Sequence, residues 1–473
     1  MKSDLSPNNY KLWIVIAIIM KGLFFWLRVA VNYEANQPLF GFFIHDSSEY
    51  YDSVNHFYET GIYTPDVRTP GLGIIFLILR TILERDTVLN TILILQWLTT
   101  SVAIYVLSLI ISRTVKKESV FYFVFFLIPL THYVFTWDVL FLTESFCISS
   151  FIFSLYYLQK SFNEPAGKPV FLAGTFFTWC VFLRPVFFIF YGIAGLFLLY
   201  FLIRRKTEMK TICRYILLFS VVFIFLDSVW VIRNYQVKHK FTFLNDIDGY
   251  SELSQSDPMP AVYLFLEAWG GDLENERHWF EVNKTMDYKY RDTLLPDYIY
   301  TSQFNKDSLF TVKQRMRYYH VHPSDSIVAL INNSMERFTN SIRKEKPFLY
   351  YVGAGLINYK KMLMSGYFNY DQFNEDFSKL PLTTRVYRIS RALLFYLLFF
   401  IGAVYSIVYL FSGNKNRLMK MLICIAHVNL FYIAFFFRTA EFRYVLPTTL
   451  IFMCLTAIVF DKLLGRRTTF VKQ

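Results

Sequence analysis

The sequence predicts an all-α polytopic membrane protein with about ten transmembrane helices, and three observations carry that expectation. Of the 473 residues, 55% are hydrophobic and 18% charged, with a mean hydropathy of +0.34, whereas soluble domains carry about a quarter charged residues. Apolar runs at 11–31, 88–112, 186–203, 214–231, 391–411 and 444–460 are each long enough to cross a hydrocarbon core of about 30 Å. Basic clusters recur at every second boundary between apolar stretches: Arg113/Lys116/Lys117, Lys160 to Lys168, Arg204/Arg205/Lys206/Lys210/Arg214, Lys415/Arg417/Lys420 and Lys462/Arg466/Arg467. That is the pattern of cytoplasmic loops under the positive-inside rule. It places both termini in the cytoplasm and accounts for the net charge of +12 without nucleic acid.

The first apolar run, 11–31, carries Lys21 and lacks a small-residue cleavage site before Asn32, so it reads as a permanent span rather than a signal peptide. Further spans are expected near 88–112, 119–136, 139–159, 170–183, 186–203, 214–231, 391–411, 419–437 and 444–462. The stretch 72–83, LGIIFLILRTIL, is about a dozen residues, short for a span, and suits an interfacial or re-entrant helix better. The chain then divides into an N-terminal transmembrane module (1–232) with its first outer loop (32–87), an extracytoplasmic region (233–390) and C-terminal transmembrane helices (391–473). The outer region is expected to be mixed but mainly helical. In its stretch 325–345, Ile327, Leu330, Ile331, Met335, Phe338 and Ile342 fall near one helical face. Of the five cysteines, four lie in apolar runs and one at a cytoplasmic edge, an arrangement that supports neither disulfides nor a cysteine metal site.

On this topology several ionisable groups gather at the outer ends of spans: Asp46, Glu49, Arg68, Glu144, Arg184, Arg233, Glu441 and Arg443. Acids and arginines at one interface suit a substrate whose leaving group is a lipid-embedded phosphate. Arginines grip phosphate in a planar fork, and a carboxylate can take a proton from an incoming hydroxyl or amine.

The segment DSSEYY (46–51) followed by RTPG (68–71) resembles the first outer loop of GT-C type glycosyltransferases. Protein O-mannosyltransferases and the lipid A aminoarabinose transferase belong to this group of polytopic enzymes. FLTES (141–145), FLRP (182–185), WVIRNYQVKHKF (230–241) and EFRYVLP (441–447) follow in the order of the bacterial members. The resemblance covers 11–250 and 390–460. It implies a GT-C-like fold, a polyprenyl-phosphate sugar donor (undecaprenyl phosphate in bacteria) and a glycan, lipid or protein acceptor. It also implies an active site on the outer face of the cell's inner (plasma) membrane. By the same resemblance Asp46 is the catalytic base and Glu144 a second catalytic acid. Arg68, Arg233 and Arg443, with Glu49, Arg184 and Glu441, contact donor phosphate or substrate; no cofactor is implied, and a divalent metal is not favoured. Ser47 and Ser48 stand where the family often has an acid directly after the first. No WWD-type motif occurs in the outer region, which disfavours an oligosaccharyltransferase.

Plainer readings stand beside these. Asp46 and Glu49 have the spacing of a capping box for a helix over 47–60. Glu49, Asp52 and His56 share a helical face that suits solvated surface better than a metal site. Arg184 would also suit snorkelling to headgroups, and Glu441 and Arg443 structural ion pairs with other spans. Lys21 and Asp227 lie inside apolar runs and are expected to face the bundle interior; Asp227 is placed to line the cavity, and Lys21 has no assignable partner. Two other function classes fit a polytopic chain. A lipid-linked glycan flippase or transporter calls for charges near mid-membrane and repeated halves. A polysaccharide polymerase or ligase calls for a pyrophosphate-linked oligosaccharide donor.

Overall fold

The structure, a computed structural model, describes residues 7, 9–31, 41, 45–63, 68–131, 135–163, 166–239, 241–244, 257–271, 280, 295–364, 380–412 and 416–470. Among these there is no strand, only helices and one isolated bridge between Thr301 and Phe304. The chain forms two compact units. One comprises 1–245, 373–427 and 446–473; the other 246–372 and 428–445.

The first unit holds α1 (Tyr10–Val31), α2 (His45–Thr60), α3 (Gly71–Arg80), α4 (Arg85–Val115), α5 (Glu118–Leu130), α6 (Glu144–Asn163), α7 (Gly167–Leu183), α8 (Phe188–Arg204) and α9 (Met209–Lys238). Every predicted span coincides with a helix. Six helices are long and apolar enough to cross a membrane among the described residues: Arg85–Val115, Pro185–Arg204, Met209–Val237, Leu382–Phe411, Arg417–Phe437 and Arg443–Leu464. Ten spans are not confirmed, and helix length is part of the reason. At 1.5 Å per residue, the 13 residues of α5 and the 17 of α7 reach about 20 and 26 Å, short of about 30 Å. The ten-residue α3 is shorter still. The predicted span at 139–159 starts later, at Glu144, and α6 is buried along nearly its whole length between α4 and α7.

Charge inside this unit is paired. Lys21 lies 2.5 Å from Asp138, on the short helical turn Phe135–Val139, and both are sealed from solvent. Thr100 and Ser145 donate to the same carboxylate at 3.0 and 2.8 Å. Lys21 therefore has the partner that its sequence neighbourhood does not reveal. Asp227 is buried and accepts the backbone N–H of Leu244 at 3.1 Å, while Trp230 donates to the Leu244 carbonyl at 2.8 Å. Both tie the chain after α9 back onto that helix.

The two remaining long helices are α14 (Leu382–Phe411) and α16 (Leu446–Phe470), with α15 (Arg417–Tyr432) between them in sequence. At Gly402 the backbone of α14 runs so close to the Phe452 carbonyl of α16 that a Cβ has no room, the packing for which membrane helices favour small residues.

The second unit is built on α10 (Met259–Trp269), α11 (Lys306–Val321), α12 (Asp325–Glu345) and α13 (Ala354–Met364). Val262, Phe265, Leu266 and Trp269 of α10 pack with Ile331, Met335, Phe338 and Ile342 of α12 in one core. The predicted amphipathic helix is thus present, except that Leu330 points outward. An Asn305–Ser308 capping box starts α11, and Gly270 ends α10 at φ +81°, a left-handed turn that glycine adopts without strain. Two Asn-X-Ser/Thr sequences occur in the outer region: Asn332 sits within α12, and Asn283 lies outside the described residues.

Burial pushes the Glu267 carboxyl of α10 up to about 7, against the opposing pull of Arg438. A folded pKa above the ordinary glutamate value of 4.5 means that the folded chain holds the proton more tightly. Glu267's contribution to stability is therefore complete below pH about 4.5 and is lost as pH rises through about 7. Wild type should lose about 1–3 kcal/mol relative to Glu267→Gln between pH 5 and 8. Thermal unfolding of both proteins across that range checks it, and parallel pH curves would contradict the shift.

Candidate active site

The first-loop helix forms because HDSSEYYDSVNHFYET alternates a narrow packing stripe with a polar face. Ser47, Tyr50, Tyr51 and Val54 are buried, while Asp52, His56 and Glu59 are exposed; that is the i, i+3/i+4, i+7 pattern of a helix with one packed side. The helix includes His45, so Asp46 lies in its first turn rather than capping it. There the unpaired amides of the helix start favour a carboxylate. Ser47 fixes the helix by donating to the Phe141 carbonyl at 2.9 Å.

Arg68 returns to this turn from the far end of the loop. Its Nε sits 2.5 Å from Glu49 and its guanidinium 3.4 Å from Asp46, with the Tyr50 ring centroid 5.5 Å away. All three charged side chains are partly open to solvent. Burial works against the charge on Arg68, but Tyr50, Glu49 and Asp46 outweigh it and hold its pKa above the usual value. The two ends of the loop are therefore one ionic cluster, and Glu49 is a partner of Arg68 rather than plain solvated surface. Asp52 and Glu59 do remain on the exposed face, and Asp66 lies outside the described residues. Among the described residues no three His, Cys, Asp or Glu side chains group as metal ligands, and Glu49 is directed at Arg68 instead of Asp52 and His56.

The short motifs meet one another. Pro70 precedes α3, and Gly71 presses against the Phe182–Leu183 backbone, so that any Cβ there would collide with it. RTPG thus packs on FLRP. The next residue, Arg184, is buried and ion-paired with Glu144, the first residue of α6. FLTES and FLRP are joined by that pair, and neither of its side chains reaches toward headgroups. Arg233 of α9 donates to the Tyr63 carbonyl, stacks over Trp230 at 4.9 Å and reaches Asn234 at 2.8 Å. It therefore holds the first loop's later half. Tyr63 is half-buried beside it with its hydroxyl enclosed, and burial raises its phenol pKa, with Tyr50 adding and Arg233 opposing.

Glu441 and Arg443 belong to the other compact unit. They pair with each other, because the tight turn Phe442–Val445 brings side chains two residues apart together in a way a regular helix would not. Tyr50, Tyr63 and Trp230 are the side chains that sequence reading passed over. In an aromatic-rich chain, only the positions of Tyr50, four residues after Asp46, and Trp230, three before Arg233, mark them out, and Tyr63 carries no such signal.

No protein-family model matches the chain, and no curated protein sequence matches it. Among solved structures it is similar to the archaeal oligosaccharyltransferase AglB from Archaeoglobus fulgidus, determined in complex with an inhibitory peptide and a dolichol-phosphate. The TM-score is 0.52 at 13% identity, with 98% of this chain and 52% of that one covered. The chain thus spans about half the length of the structure it matches. At this identity the likeness is one of fold: this chain folds as a polytopic helical protein of the kind seen in that oligosaccharyltransferase.

Proposed function

We propose that the protein is an integral membrane glycosyltransferase that moves a sugar from a polyprenyl-phosphate donor to an acceptor at the membrane surface bearing the first loop. The observation that carries this reading is the Asp46–Arg68–Glu49 cluster, partly open to solvent and braced by two packed motifs. The AglB-like fold supports the class, since that protein was captured with a lipid phosphate and a peptide. The absence of a WWD-type motif from the outer region disfavours an oligosaccharyltransferase within this class.

In this mechanism Asp46 accepts the acceptor's proton, and the resulting nucleophile attacks the anomeric carbon opposite the phosphate, inverting it. The C–O bond to the phosphate breaks with its electron pair going to the phosphate oxygen, where Arg68 offsets the new charge. Glu49 holds the guanidinium in place between turnovers. Glu144 and Arg184, buried as a pair, and Arg233, engaged with Tyr63, position the loop rather than touch the reacting atoms.

The deciding experiment is transfer by the purified, reconstituted protein from defined polyprenyl-phosphate monosaccharides, followed by mass spectrometry of the lipid product. Turnover of pyrophosphate-linked oligosaccharide alone would overturn the donor assignment. Arg68→Lys tests the phosphate contact separately. A lysine is a point charge that cannot bridge Asp46, Glu49 and phosphate, so donor KM should rise about tenfold with a smaller change in kcat. An unchanged KM would remove Arg68 from donor binding.

A further inference from the structure

The second unit carries an apolar surface that its own core does not use. From Pro347 the chain passes through the π-helical turn Leu349–Gly353 into α13. Along this stretch Ala354, Gly355, Asn358 and Met362 face the protein, with Gly355 against the Phe435 ring. Phe348, Tyr351, Val352 and Leu356 form the opposite stripe and are 71%, 52%, 37% and 52% exposed. So large a run of exposed aromatic and aliphatic groups on one helical face marks an interaction surface.

Two features say what covers it. The stretch packs on Ile433–Phe437, the last turn of the membrane-crossing helix Arg417–Phe437, whose Phe431, Phe436 and Phe437 are themselves exposed. The apolar stripe therefore neighbours side chains at a bilayer boundary. The stripe is also flanked by Arg343, Lys344, Lys346, Lys360 and Lys361, with Glu345 as the single acid among them. Arg343 Nε donates to the Tyr351 hydroxyl at 2.9 Å, leaving an apolar ring with a wet, charged tip. Basic flanks around aromatic residues are the signature of an interfacial helix. Beside Phe348 a groove of about 500 Å³ opens between Tyr298, Leu349 and Ile357, with Lys346 at its rim.

We propose that residues 343–361 form a phospholipid-binding surface, seated in the bilayer leaflet at the Phe437 end of the helix Arg417–Phe437. A lipid acyl chain lies in the groove beside Phe348, and its phosphate is held by Arg343 and Lys346. This site is separate from the first-loop cluster and does not depend on the glycosyltransferase reading. Its consequence is that the second unit is anchored to the membrane along a face, not only through its chain connections.

The test is photolabelling of the full chain in phosphatidylglycerol-containing vesicles, using a lipid that carries a diazirine near its headgroup and mapping adducts by peptide mass spectrometry. Adducts are expected across 346–357, at a level comparable to Leu393 and Leu397 on the exposed face of α14. The double variant Phe348→Asp/Leu356→Asp, both positions being exposed, should cut labelling there about fivefold or more while leaving 393–397 unchanged. Lys346→Glu, which leaves the apolar stripe intact, should cut it about twofold or more. Labelling of 346–357 no greater than that of the exposed α11 surface around Tyr318 would overturn the proposal. So would an amine cross-link from Lys360 to a second copy, which puts protein on this face instead of lipid.

Discussion

Asp46→Asn should lower sugar transfer from a polyprenyl-phosphate donor by about 10²–10⁴ in kcat, the usual contribution of a positioned general base. The substitution suits the question because it keeps size and leaves an oxygen for Arg68. The stronger Arg68–Glu49 contact at 2.5 Å is untouched, so the loop should stay closed. Helix α2 is held independently by Ser47 and by the buried Tyr50, Tyr51 and Val54. Folding, checked by thermal unfolding, and donor binding, checked by direct titration, should therefore be preserved. A stable, donor-binding Asp46→Asn protein that turns over near the wild-type rate would end the assignment of Asp46 as base. The role of Glu49 is tested in the same assay. Glu49→Gln should act mainly on donor KM, because its partner is the guanidinium proposed to contact phosphate.

Arg184→Met should destabilise the protein by about 3–5 kcal/mol, since it strands the Glu144 carboxylate in a sealed site. Replacing both members, Glu144→Gln with Arg184→Met, should restore most of that loss, because no uncompensated charge remains and the volume is kept. The double variant then separates structure from chemistry. If the pair serves to register FLTES against FLRP, and hence Gly71 and Arg68 against the loop, the stable double variant keeps partial activity. Activity as low as that of Asp46→Asn, in a protein of wild-type stability, would instead put Glu144 in the reacting machinery. Single variants within about 0.5 kcal/mol of wild type would show that the pair holds nothing.

Much of the architecture was legible because hydropathy and helical period are local properties. The ten apolar stretches all became helices, the first-loop helix appeared within two residues of its expected start, and the amphipathic 325–345 stretch formed α12 as its spacing demanded. Span number was less legible. A composition-based reading treats any apolar run as a crossing, whereas among the described residues α5 and α7 are shorter than about 30 Å and α6 is buried in protein. The candidate site was legible as residue types but not as contacts. Asp46 and Arg68 stood out as two charges at opposite ends of a polar loop, and they prove to be parts of one cluster with Glu49 between them.

By itself, then, the sequence determined the class of fold, the polar first loop and the residues from which a site can be built. Each of these follows from side-chain chemistry read over a few turns of chain. Only the tertiary structure decided the pairing: Lys21 with Asp138, Glu144 with Arg184, Arg233 with the Tyr63 carbonyl and Gly71 with the Phe182 backbone. The reason is physical. A charge taken out of water must find an opposite charge or a dipole at contact distance, and which one it meets depends on helix packing. The charged side chains thus yield two sealed pairs, Lys21–Asp138 and Glu144–Arg184, a part-buried pair, Glu441–Arg443, and one cluster, Asp46–Arg68–Glu49, that is partly open to solvent.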